Sequence, residues 1–159
     1  MNHKYLLDTN ILIYYFNNQP EVQDVFEAIE TTDATAFYYP ISWVELLCYP
    51  ELTEEQAQEM RGFLRIINLT EMVLDSAAQI RKNYRLKLAD GIIAACALVA
   101  ECILVTRNVN DFKRIDGLAL LNPFDNRAAL EPTMQDLPQS TLSSILPLPR
   151  LLPRSTLNP

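Results

Sequence analysis

The chain has 159 residues, and its 20 acidic side chains outnumber its 13 Lys and Arg residues, which gives a formal net charge of −7 at pH 7. This length suits one domain with a substantial core, and the negative charge argues weakly against a nucleic-acid partner, because phosphate binding usually needs a basic surface. Three cysteines without CxxC spacing and a single histidine, His3, argue against a zinc site, a disulfide framework or a nucleophile–histidine triad. Carboxylates are the side chains that remain for chemistry.

Signals for export or membrane insertion are missing from the pattern. No apolar stretch approaches the roughly 18 to 20 residues that a membrane-spanning helix needs. The chain passes from Met1 through Lys4 directly into residues 5–7 (YLL), without the longer apolar segment and cleavage site of a signal peptide. We therefore expect a cytoplasmic protein without a membrane partner.

Apolar periodicity predicts alternating strands and helices in the amino-terminal part. In chain order these are a strand over residues 4–7 (KYLL), a helix over 11–16 (ILIYYF), a helix over 21–30 and a strand over 34–39. The pair Thr9 and Asn10, directly after Asp8, can cap the first helix. Pro40 ends the second strand, and Ser42 to Glu45 then indicates a helix start, with Glu45 in its first turn.

The alternation continues along the chain. The further predicted elements are a helix from Thr53 to about Arg65, a strand over 66–69, a helix over 71–85, an apolar helix over 90–100, a strand over 102–106 and a last short strand over 118–121. This order predicts an α/β fold in which helices flank both faces of a central parallel sheet of four or five strands.

The composition changes after residue 125. Six of the ten prolines lie in residues 126–159, interleaved with leucines and serines. Prolines at this density disfavour regular helix or strand. We therefore expect one domain over residues 1–125 and a Pro- and Leu-rich carboxyl-terminal tail or arm over residues 126–159.

Four acids follow strands or begin helices of the predicted sheet. Asp8 and Asp111 follow the first and fourth strands, while Glu45 and Asp90 lie in first turns of helices. Ligands of open parallel sheets gather outside the carboxyl ends of the strands, so these acids are expected to converge there. Clustered carboxylates need a cation or shifted pKa values, and oxygen ligands favour Mg2+ or Mn2+. Such a site suits phosphodiester hydrolysis by metal-activated water.

Three segments resemble PIN-domain ribonucleases. Asp8-Thr9-Asn10 after an apolar strand is similar to the opening of those domains, and residues 86–112 (LKLADGIIAACALVAECILVTRNVNDF) are similar to their second acidic helix, the next strand and a T-x-N-x-x-D-F signature. With Glu45 in PISWVELL between them, the resemblance covers about residues 4–124. It implies a three-layer α/β/α PIN-like fold and a Mg2+- or Mn2+-dependent endoribonuclease.

The resemblance also implies roles for individual residues. The acidic quartet, as we call the four acids Asp8, Glu45, Asp90 and Asp111, would hold the metal ion directly or through water. The resemblance further implies that three neighbouring polar groups, Asn10, Thr106 and Asn108, orient those carboxylates. For contact with RNA, the basic residues nearest to Asp111 are Arg107, Lys113 and Arg114.

The resemblance to PIN-domain ribonucleases also implies a biological role and partners. It implies a VapC-type toxin of a type II toxin–antitoxin system that forms homodimers and is silenced by a small antitoxin protein. A housekeeping PIN-domain RNA-processing nuclease and a non-catalytic PIN-fold binding module stay open as alternatives. A haloacid dehalogenase-type phosphatase is disfavoured because its D-x-D pair would need an acid where Asn10 stands, and a receiver domain because no aspartate follows the strand at 66–69.

Structural roles compete with these functional roles. Ser42 and Glu45 have the spacing of a capping box, and Asp8 and Asp90 could be ordinary acids at helix starts. Asp111 could be a turn residue. Tyr38, Tyr39 and Trp43 are interpreted as core or dimer packing rather than as platforms for RNA bases.

Overall fold

The computed structural model describes residues 3–125; the tail predicted over residues 126–159 lies outside the described residues. The elements in chain order are β1 (Lys4–Leu7), α1 (Thr9–Phe16), α2 (Pro20–Thr31), β2 (Thr35–Tyr38), α3 (Pro40–Leu47), α4 (Glu54–Phe63), β3 (Arg65–Ile66), α5 (Glu71–Tyr84), α6 (Leu88–Ala100), β4 (Ile103–Val105), α7 (Val109–Phe112) and β5 (Leu120–Leu121). The predicted alternation of strands and helices is confirmed.

The strands form one parallel sheet in the order β3-β2-β1-β4-β5 within residues 3–125. The chain builds β1, β2 and β3 outward in one direction and then returns to place β4 on the other side of β1. The order therefore reverses between β1 and β4, the position at whose carboxyl-terminal edge open parallel sheets bind ligands. Asp8 directly follows β1 and Thr106 directly follows β4 at this point.

Helices cover both faces of the sheet in a three-layer α/β/α arrangement. The central strand β1 buries Leu6 and Leu7 completely, as expected for a parallel sheet that is covered on both sides. Residues 91–97 of α6 are all buried, in agreement with the nearly continuous apolar sequence of this helix. Within residues 3–125, no helix is long and apolar enough to cross a membrane.

Helix α3 begins earlier than predicted. Its first residue is Pro40 and its N-cap is Tyr39, which makes no side-chain capping bond. Proline suits the first helical position, because its ring fixes φ and its missing N–H would have no partner there. Glu45 is therefore in the second turn instead of the first, and the proposed capping box of Ser42 and Glu45 is wrong.

Several other boundaries differ from the sequence prediction. Asp8, and not the pair Thr9 and Asn10, is the N-cap of α1. Helix α4 ends at Phe63, and β3 is shifted and shortened to Arg65–Ile66. Asp111 lies inside the short helix α7, so its interpretation as a turn residue is wrong.

Candidate active site

Asp8 is held from two sides at the junction of β1 and α1. Its Oδ1 accepts a hydrogen bond from the backbone N–H of Thr9 at 2.8 Å, and its Oδ2 accepts one from the Thr106 hydroxyl at 2.8 Å. Thr106 is fully buried after β4, the neighbour of β1 in the sheet. The pairing of β1 with β4 therefore fixes the orientation of the Asp8 carboxylate.

The pKa values of Asp8 and Asp90 are both raised from the ordinary value for aspartate. Burial raises the pKa of Asp8 most; the bonds from Thr106 and Thr9 oppose this, and the negative charges of Asp90 and Glu45 add to it. Burial also raises the pKa of Asp90 most, followed by the charge of Asp111, while Lys87 lowers it and Glu45 raises it. The charges of the acidic quartet thus affect the pKa values of Asp8 and Asp90, although its members come from four segments of the chain.

A second set of hydrogen bonds links Asp111 to Thr106, the residue that holds Asp8. The Thr106 hydroxyl oxygen accepts a bond from the backbone N–H of Asn108 at 3.1 Å, and the Asn108 carboxamide donates to Asp111 Oδ2. Thr106 and Asn108 therefore connect Asp8 after β1 with Asp111 in α7. Asn10 differs from these two residues, because its Oδ1 is buried without a hydrogen-bond partner among residues 3–125.

Glu45 is bound by Thr9. The Thr9 hydroxyl lies 2.5 Å from Glu45 Oε2 and 3.0 Å from Ser42 Oγ. Ser42 is completely buried, whereas Glu45 is exposed one turn later on α3. Packing of α1 against α3 brings these groups together across more than thirty residues of sequence.

The donor groups fit a hydrated divalent cation of the Mg2+ type. Among residues 3–125, no three acidic, His or Cys side chains are close enough to enclose a metal ion by themselves. Mg2+ commonly keeps several water molecules and takes only one or two carboxylates directly, so a looser group of oxygen atoms is adequate. The unpartnered buried Asn10 Oδ1, two residues after Asp8, is a further oxygen of the kind that such a hydrated ion bonds.

The basic side chains near Asp111 differ in their surroundings. Arg107 donates to the Tyr14 hydroxyl at 2.7 Å and lies over the rings of Tyr14 and Phe124, 5.4 and 4.9 Å from their centroids. Lys113 donates to Asn110 Oδ1 at 2.9 Å, and Arg114 is exposed. All three basic residues are exposed, and Arg107 in addition packs against two aromatic rings.

Sequence reasoning missed three hydroxyl groups near Glu45. Thr9 and Ser42 were interpreted as helix caps, and Tyr39 as core packing. Tyr39 is indeed buried, but burial first, and then the charges of Glu45, Asp8 and Asp90, raise its pKa, while a hydrogen bond with Ser42 lowers it. The available signal was the spacing of Ser42 and Glu45, which puts both on one side of α3.

Comparisons with known proteins agree with this fold. The model of the PIN domain family matches residues 5–118. A curated relative, Ribonuclease VapC2 of Methanocaldococcus jannaschii, is 23% identical over 139 residues, which cover 75% of this chain and 93% of the relative.

Two solved structures resemble the chain over nearly their whole lengths. A chain of a toxin–antitoxin complex from Klebsiella pneumoniae is 31% identical, with a TM-score of 0.63, and the match covers 77% of this chain and 99% of that one. A chain of VapBC2 from Rickettsia felis, solved bound to a DNA fragment from its promoter, is 24% identical, with a TM-score of 0.64 and coverage of 75% and 98%.

Proposed function

The chain belongs to the PIN domain family, and on that premise we propose that it is an endoribonuclease that hydrolyses RNA phosphodiester bonds with the help of Mg2+ or Mn2+. The observation that carries the proposal is the acidic quartet at the ends of β1 and β4, where burial first, and then the charges of neighbouring acids, raise the pKa values of Asp8 and Asp90. Bringing like charges together costs free energy, and a bound divalent cation offsets that cost.

Each polar residue of the site has a distinct task in this proposal. The acidic quartet holds the ion directly or through water. When bound, such an ion neutralises charge on a phosphate and lowers the pKa of a water molecule. Thr106 and the Thr9 N–H keep Asp8 in one orientation, and Asn108 does the same for Asp111. No side chain needs to form a covalent bond with RNA.

The RNA backbone would contact the basic residues that flank α7. We assign this role to Arg107, Lys113 and Arg114, as the sequence suggested. A positive edge beside the acids would bring the phosphate towards the site despite the net charge of −7. Arg107 would present its guanidinium from a fixed position against Tyr14 and Phe124.

Cleavage of a structured RNA pool by purified protein tests the nuclease. We expect cuts with Mg2+ or Mn2+ and none with EDTA. Asp90→Asn should abolish cleavage, whereas Asp75→Asn, which changes an exposed aspartate of α5, should cut like the wild type. Equal cleavage by the two variants, or by the EDTA-treated protein, would reject the proposed site.

We further propose that the nuclease is the toxin of a toxin–antitoxin pair. It acts as a homodimer, and a small antitoxin protein silences it by binding. The likeness to the Klebsiella pneumoniae toxin–antitoxin complex supports this role. Induced expression in bacteria should arrest growth, and Asp90→Asn should relieve the arrest. Normal growth with abundant active enzyme would favour the alternative of a housekeeping RNA-processing nuclease.

A further inference from the structure

Glu45 needs an explanation for its orientation. It is exposed on the second turn of α3, where a long, solvated glutamate side chain ordinarily samples several rotamers. Two other members of the acidic quartet, Asp8 and Asp111, each accept a hydrogen bond from a side chain that follows β4. Glu45 lies on α3, which follows β2 on the other side of β1 in the sheet, and accepts its hydrogen bond from Thr9.

Thr9 contacts two members of the acidic quartet at once. Its backbone N–H donates to Asp8 Oδ1 at 2.8 Å, and its hydroxyl reaches Glu45 Oε2 at 2.5 Å. One residue at the start of α1 therefore sets the distance between an acid that ends β1 and an acid on α3.

The direction of the hydrogen bonds follows from proton counting. A threonine hydroxyl has one proton and accepts through its oxygen. Because an ionised carboxylate can only accept, the Thr9 proton goes to Glu45, and Ser42 Oγ, 3.0 Å away, is left to donate to Thr9.

These groups form a chain of hydroxyls that leads from the core to the site. Ser42, at the inner end of the chain, is completely buried. A buried hydroxyl that loses its hydrogen-bond partner destabilises the folded protein, so this chain tolerates little movement. Hydrogen bonds in such a chain also strengthen one another. The free end of the chain is the Glu45 carboxylate.

We propose that Thr9 and Ser42 are positioning residues, which hold Glu45 in the orientation in which it joins Asp8 at the metal site. This inference rests on the proposed function. Thr9 acts directly on Glu45, and Ser42 acts through Thr9.

Binding of Mn2+ to the metal-free protein tests this role without RNA. Thr9→Val removes the hydroxyl but keeps the size of the side chain and the backbone bond to Asp8. We expect it to weaken Mn2+ binding about tenfold, as the loss of groups that orient metal ligands usually does, while Thr9→Ser, which keeps the hydroxyl, stays within about threefold of the wild type. Ser42→Ala should weaken binding too, and replaces Thr9→Val if that variant does not fold.

A double-mutant cycle separates positioning from a merely structural role. In a Glu45→Gln background, Thr9→Val should cause no further loss of Mn2+ affinity, because the group it orients is already gone. A structural role would instead lower the melting temperature of the metal-free protein and leave the Mn2+ affinity of the folded fraction unchanged.

The possible results distinguish this inference from the proposed function. If the wild type cleaves RNA and folded Thr9→Val binds Mn2+ as tightly as the wild type, the positioning role is wrong and the nuclease stands. Additive losses in the cycle would overturn the positioning role in the same way. If the wild type neither binds Mn2+ nor cleaves RNA, the proposed function fails and the inference fails with it.

Discussion

At the scale of single residues, Asp8 serves both the fold and the candidate site. It follows the central strand β1, caps α1 through its bond with the Thr9 N–H, and accepts the buried Thr106 hydroxyl. These two donors only partly offset the burial and the neighbouring acids that raise its pKa. The metal-free protein therefore carries an energetic cost at Asp8, as functional sites often do.

Asp8→Asn should stabilise the metal-free protein. The folded pKa of Asp8 lies above its unfolded value, so the cost of its charge is fully present above the folded pKa and disappears as the pH falls towards about 4, the ordinary value for aspartate. We expect a rise in melting temperature of a few degrees at neutral pH, which shrinks as the pH falls.

Thermal unfolding in EDTA across this pH range measures the effect. Asp75→Asn on α5 is the matched control and should leave the melting temperature unchanged at each pH, because Asp75 is exposed. A lower melting temperature for Asp8→Asn at neutral pH would show that the capping bond outweighs the cost of the buried charge.

The sequence was informative about some polar residues and silent about others. Asp8 and Asp90 could be found because each lies at the end of a strand or the start of a helix with a clear apolar pattern. The contacts of Thr9 with Ser42 and Glu45 could not, because they depend on how α1 packs against α3. Local spacing explained Ser42 as a cap, whereas tertiary packing buries it.

At the scale of elements, the packing of α5 against α6 depends on a glycine beside Asp90. A Cβ atom at Gly91 would meet the Arg81 side chain of α5, with Arg81 Cδ 2.9 Å away. Arg81 in turn donates through Nε to the carbonyl oxygen of Leu86. The arginine stem thus crosses α6 next to a member of the acidic quartet.

The effect of Gly91→Ala on the free energy of unfolding should therefore change sign when Arg81 is replaced by alanine. In the wild-type background we expect a loss of about 1 kcal/mol, since overpacking costs more than the gain in helix propensity. With Arg81→Ala present, the same substitution should stabilise the protein by up to about 1 kcal/mol. Urea unfolding of the wild type, the two single variants and the double variant measures both effects. Equal effects of Gly91→Ala in the two backgrounds would contradict the steric explanation.

Element boundaries were the weakest part of the sequence prediction. The apolar helix α6 and the central strands were recognisable because burial on all sides leaves a long apolar run. The start of α3 was misjudged because Pro40 was interpreted as the end of a strand, although it also suits the first position of a helix. Strand β3 has only two residues, too few for any periodicity.

At the scale of the whole molecule, the net charge of −7 opposes RNA binding. Attraction of the RNA phosphates therefore has to come from the local positive charges beside α7. Arg107 and Arg114 should respond differently to alanine substitution. Arg114→Ala should reduce the slope of log RNA affinity against log salt concentration by about one and leave the stability of the protein unchanged. Arg107→Ala should also destabilise the protein by about 0.5–1 kcal/mol, through its lost contacts with Tyr14 and Phe124.

RNA affinity at several salt concentrations, measured in EDTA, together with urea unfolding, tests this distinction. An unchanged salt slope for Arg114→Ala would remove Arg114 from the RNA-binding surface. Wild-type stability for Arg107→Ala would show that its contacts with the aromatic rings contribute little.

The fold class and the parallel sheet follow from the order of the apolar segments, and the structure agrees with both.

The central claim is that acids from separate elements act as one metal-dependent centre. Single-turnover RNA cleavage by Asp8→Asn, Asp111→Asn and the double variant tests it most directly. Each single substitution should lower the rate about a hundredfold or more, and the double variant should be no slower than the worse single variant. Losses that multiply in the double variant, or a single variant that cleaves at the wild-type rate, would contradict the claim.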